Sequence, residues 1–113
     1  MFLPPRAGVE RHVILGALRD MIAELLLEEI DAGGKVPPDQ LAQRVVYWTW
    51  RCFPTLKPAF GEGVGGACDF VARRYVEHTE TFRKVDPEIV LLDALEALGV
   101  PRATGHNWLK AAK

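Results

Sequence analysis

Serine is absent from this chain, and cysteine and histidine are scarce: Cys52 and Cys68 are the two cysteines, and His12, His78 and His106 the three histidines. Without serine there is no serine nucleophile, and no His-x-x-x-His or Glu-x-x-His pair supplies a metal or acid-base constellation in its place. The three histidines fall on three different expected elements, so no enzyme, metal or cofactor is expected. The cysteines stand sixteen positions apart with no second Cys or His at ligand spacing, which argues against zinc. In a domain large enough to fold without a staple, free buried thiols are expected rather than a disulfide. Neither sign of charge dominates: 14 Lys+Arg oppose 15 Asp+Glu. That balance excludes a surface that tracks nucleic acid along its whole extent, so any such contact must be local. Long apolar runs are also missing. Phe2-Leu3 is followed at once by Pro4-Pro5, too short for a signal-peptide core, and no run approaches a membrane span. The expected location is the cytoplasm, with no membrane partner.

What is present is an ordinary globular composition. In 113 residues, 49% are apolar and 26% charged, enough for one core and one domain spanning 1–113. The lead-in 1–8 holds Pro4, Pro5 and Gly8 and is expected to be irregular. From Val9 to Ala32, the residues Val13, Ile14, Ala17, Leu18, Met21, Ile22, Leu25, Leu26 and Ile30 recur at three- and four-residue steps, the period of an amphipathic helix, which Gly33-Gly34 ends. Pro37-Pro38-Asp39 opens a second helix with Leu41, Val45, Trp48 and Cys52 on one face, although the β-branched and aromatic run Val45 to Trp50 leaves a local strand reading open. A third helix runs from about Val64 to His78, with Ala67, Phe70, Val71, Arg74, Tyr75 and His78 on one side. Asp86-Pro87 supplies an N-cap and first-turn proline for a fourth, whose stripe is Ile89, Leu92, Leu95 and Leu98. The fold class is therefore all-α, a single compact domain of four to five helices.

Other features read as structure. Gly61 to Gly66 lacks the Gly-Lys-Ser/Thr of a phosphate loop and is expected to be a flexible hinge or loop. His78, beside Glu77 and Glu80, reads as a solvated helix-end residue. Trp48 is expected in the core and Trp50 at a helix or subunit contact. In Leu25-Leu26-Leu27 three adjacent residues cannot all face one core, so Leu27 joins Trp50 as a candidate partner or dimer surface.

The closing residues carry the functional signal. Leu91 to Leu98, the break at Gly99, and Val100 to Lys110 outline two short helices joined by a tight turn, an arrangement expected over 87–113. The basic excess sits here as well: Gly99 to Lys113 holds Arg102, Lys110 and Lys113 and no acid, whereas Met1 to Lys35 holds four basic and six acidic residues. The order Gly99-Val100-Pro101-Arg102-Ala103-Thr104-Gly105-His106-Asn107-Trp108-Leu109-Lys110 resembles the turn and recognition helix of helix-turn-helix transcription factors and recombinases. It departs from their pattern at Pro101, where serine is usual, and at Gly105, where Val or Ile is usual. The resemblance implies a sequence-specific regulator of transcription that binds double-stranded DNA as a homodimer. Arg102 and Asn107 would read guanine and adenine, Thr104 and Lys110 would hold phosphates, and Ala103 and His106 would share the outward face. The alternative is a helical adaptor or inhibitor, of the kind carried by mobile genetic elements, that binds another protein and no DNA.

Overall fold

In the computed structural model, residues 11–31, 37–58, 63–82 and 84–111 are described. The expected lead-in 1–8 and the Gly33-Gly34 stop lie outside them. Five helices follow in order: α1 (Arg11–Asp31), α2 (Pro38–Cys52), α3 (Val64–Thr81), α4 (Pro87–Ala97) and α5 (Arg102–Ala111). Among the described residues there is no strand. The aromatic run in α2 is helical because Leu41, Ala42, Val45, Val46 and Thr49 bury one face of it. Tertiary burial thus overrides a local β preference that is worth little by itself. Among the described residues, no helix is long and apolar enough to cross a membrane.

α4 is the centre of the fold. It packs against each of the other four helices, and Val90, Leu91, Leu92, Asp93, Ala94, Leu95 and Ala97 are all buried. Its entry matches expectation: Pro87 occupies the first turn, and the Asp86 carboxylate accepts a hydrogen bond from the Glu88 N–H at 2.9 Å. α1 contributes Ile14, Leu15, Leu18, Met21, Ile22 and Leu25 to the same core. Val13, expected in that stripe, is 51% exposed, and Leu15 takes its place. The steps from 14 and 15 to 18, 21, 22 and 25 keep one helical face inward, whereas 13 lies off it. The radius of gyration is 13.2 Å, matching the roughly 13 Å of a compact chain of this length.

Two aromatic expectations are revised. Trp48 is half-buried at the edge of the core, and Thr49 is the fully buried residue of that turn, its hydroxyl donating to the Val45 carbonyl at 2.7 Å. Trp50 is half-buried, and its indole N–H donates to the Leu56 carbonyl at 3.0 Å. That bond ties the chain beyond α2 back onto the helix. Cys52 and Cys68 are free and half-buried. Burial pushes the Cys52 thiol up to about 11 against the smaller opposing pull of Arg51, so it stays protonated at neutral pH.

Candidate nucleic-acid interface

α4 ends in a hydrogen-bonded stop built around Gly99. The Val100 N–H reaches the Leu95 carbonyl at 2.9 Å and the Gly99 N–H reaches Glu96 at 3.1 Å, the paired bonds of a Schellman ending. Gly99 has φ +96°, and a Cβ there would lie 3.0 Å from the Lys57 carbonyl. A positive φ and a backbone neighbour both select glycine. The chain then turns through Val100, which is buried, and Pro101, whose carbonyl accepts from the Gly105 N–H at 2.9 Å and opens α5.

α5 runs unbroken through Gly105. That residue is buried, and a Cβ on it would stand 2.8 Å from Leu92 Cδ1 and 3.9 Å from Val100 Cγ1. Glycine here lets α5 lie close against α4. The inward side of α5 is completed by buried Leu109 and half-buried Trp108. The Arg11 guanidinium sits 4.3 Å from the Trp108 ring centroid, and the Phe53 ring lies 6.1 Å away.

The six proposed DNA-contacting residues fall in three environments. Ala103, His106, Asn107 and Lys110 are exposed, and at 100° per residue they fall within an arc of about 100° on one side of the helix. Thr104 is half-buried at the margin. Arg102 is held by α4 instead. Its Nη1 donates to Asp93 Oδ1 at 3.0 Å and to Glu96 Oε2 at 3.1 Å, with 36% of the side chain exposed. Partial burial pulls the guanidinium down, but the hydrogen bond and charge of Asp93, joined by Glu96, outweigh it and raise the group above its ordinary value. Arg102 is a cation at every physiological pH. Between the start of α4 and the outer side of α5 lies a groove of about 220 Å³, floored by Ile89, Leu92 and Leu109 and flanked by Asp86, Glu88, His106, Asn107 and Lys110. Glu88 is ion-paired with Arg19 at 3.5 Å, which lowers the negative charge of that wall. Of the candidate partner surface, Leu27 is 53% exposed, while Trp50 is occupied by its bond to Leu56.

Asp93, behind this face, is the residue that sequence reasoning missed. It is 1% exposed. Its Oδ2 accepts from His78 Nε2 at 2.7 Å, and its Oδ1 is shared by Arg102 at 3.0 Å and Arg74 Nε at 3.6 Å. A buried carboxylate must be compensated to be tolerated, and these three side chains compensate it. His78 is therefore not a solvated helix-end residue: it is buried and joins α3 to α4. The available signal was Asp93 itself, a lone carboxylate inside Leu91-Leu92-Asp93-Ala94-Leu95. Among the described residues, no group of three or more His, Cys, Asp or Glu is disposed to hold a metal ion. No protein family, curated protein or solved structure matches the chain.

Proposed function

We propose that this chain is a small sequence-specific regulator that binds double-stranded DNA through α5, acting as a homodimer. The observation that carries the reading is the strip Ala103, His106, Asn107 and Lys110, exposed on an uninterrupted helix that the Gly99 turn sets against α4. A recognition helix needs that combination of a supported inner face and an outer face spent on no core contact. Asn107 has the donor and acceptor pair that matches adenine in the major groove, and His106 beside it can donate to a base or a phosphate. Lys110 makes no ion pair among the described residues and supplies charge for a phosphate. Two copies related by a two-fold axis would present two such helices to a palindromic site.

The test is fluorescence anisotropy with pooled random duplex DNA at low salt, comparing the wild type with an Asn107→Ala plus Lys110→Ala variant. Binding by the wild type that weakens at least tenfold in the variant supports the reading. Equal binding by both, or none by the wild type, overturns it. With so few cations available, the salt dependence should be shallow, a slope of about −2 per subunit in log-log form.

A second reading, a helical protein-interaction module, draws on Leu27, an apolar side chain 53% exposed on α1 beside the exposed acid Glu24. Leu27→Glu separates the two. Loss of a defined dimer together with weaker DNA binding places the dimer contact at α1 within the DNA reading. A stable complex with another protein that Leu27→Glu abolishes, in a chain that binds no duplex, favours the module.

A further inference from the structure

Two arginines converge on one oxygen of a buried carboxylate, and only one of them is hydrogen-bonded to it. Arg102 Nη1 holds Asp93 Oδ1 at 3.0 Å. Arg74 Nε stands 3.6 Å from the same atom, and among the described residues it is the one buried side-chain nitrogen or oxygen without a hydrogen-bond partner. The far end of Arg74 is anchored, its Nη1 donating to Glu77 Oε2 at 3.0 Å. A buried donor with no partner is unfavourable, so the position of Arg74 calls for an explanation.

We propose that Asp93 exchanges its arginine when DNA binds. Arg102 is the first residue of α5 and its side chain is 36% exposed. In the free protein it is neutralised by Asp93 and Glu96 and so withheld from DNA. When a backbone phosphate approaches, Arg102 turns to it, and Arg74 Nε closes the short gap to Oδ1. The buried charge of Asp93 is never left uncompensated, and His78 stays on Oδ2 and keeps the carboxylate in place. Arg74 and Glu96 are then positioning residues: neither lies on the exposed strip of α5, yet each sets how readily Arg102 is released. No covalent step is involved, only a change of hydrogen-bond partner.

The inference rests on the DNA reading, and one set of salt titrations distinguishes their failures. The full chain is titrated with pooled random duplex DNA as wild type and as Arg102→Ala, Arg74→Ala, Glu96→Gln and Lys110→Ala. Removing Arg102 should lower the salt slope by about 0.9, the share of one phosphate contact. Arg74→Ala should lower it equally, because Asp93 then keeps Arg102. Glu96→Gln should tighten binding about two- to fivefold, the span of a partly exposed ion pair, a gain that structural damage does not produce. If Arg74→Ala does not fold, Arg74→Met takes its place and the Glu96→Gln gain still decides. In parallel, the arginine Nε–Hε NMR signal of Arg74 should become protected from exchange on adding duplex. Weakening in Lys110→Ala with wild-type affinity and slope in Arg74→Ala and Glu96→Gln overturns the exchange and leaves the DNA reading intact. No duplex binding by the wild type overturns both.

Discussion

α4 and α5 are neighbours of nearly equal length, eleven and ten residues, yet they use their surfaces in opposite ways. α4 is buried from Val90 to Leu95 and at Ala97, and even its one buried acid, Asp93, is satisfied by groups from α3 and α5. α5 spends one side on the core, through Gly105 and Leu109, and leaves Ala103, His106, Asn107 and Lys110 in solvent. The difference teaches where stability and function are separable. Substitution at the buried positions of α4 should act on folding, and substitution on the outer side of α5 on binding alone.

The sharpest way to break this contrast is to truncate the middle of α4. Leu95→Ala, at a fully buried position, should cost roughly 2–5 kcal/mol in urea unfolding; a cost under about 1 kcal/mol would mean that the helix is not the centre of the core. Asp93→Ala comes next. It leaves His78 buried without its partner and takes one of two carboxylates from each of Arg74 and Arg102, with an expected loss of about 3 kcal/mol. That is the low end for a broken buried pair, because Arg74 and Arg102 are each about a third exposed and regain water. A chain as stable as the wild type would show that the carboxylate is dispensable. Gly105→Val, which installs a residue usual in the motif, should overpack the contact with Leu92 and cost about 1–3 kcal/mol, read as a lower thermal midpoint. The smallest effect is expected for His106→Ala, Asn107→Ala and Lys110→Ala together. Stability should stay within about 0.5 kcal/mol of the wild type while duplex binding is lost, and a larger drop in stability would erase the contrast between the two helices.

The elements were legible where local chemistry speaks. Asp86-Pro87 marks the start of α4, Gly99 its stop, and Leu18, Met21, Ile22 and Leu25 the inner side of α1, because capping and periodicity are properties of adjacent residues. The sequence is less legible where a side chain's surroundings depend on a distant partner. His78 reads as solvated from Glu77 and Glu80, but Asp93, fifteen positions away, makes it a core residue. Arg102 reads as a free base contact from its place in the motif, but Asp93 and Glu96 claim its guanidinium. Gly105 reads as a departure from the Val or Ile usual in the motif, and it is the point at which α5 approaches Leu92.

By itself, then, the sequence determined an all-α chain, its helix limits near proline and glycine, and the separation of the basic excess toward the C-terminus. Each follows from backbone restriction, helical period or composition, and none requires knowing what lies across the core. Tertiary structure alone decided that α4 packs against all four other helices, that Trp48 sits at an edge while Thr49 is buried, and that one carboxylate gathers His78, Arg74 and Arg102. The physical reason is burial: in water these charges would be nearly indifferent to one another, but once Asp93 is removed from solvent it must be matched.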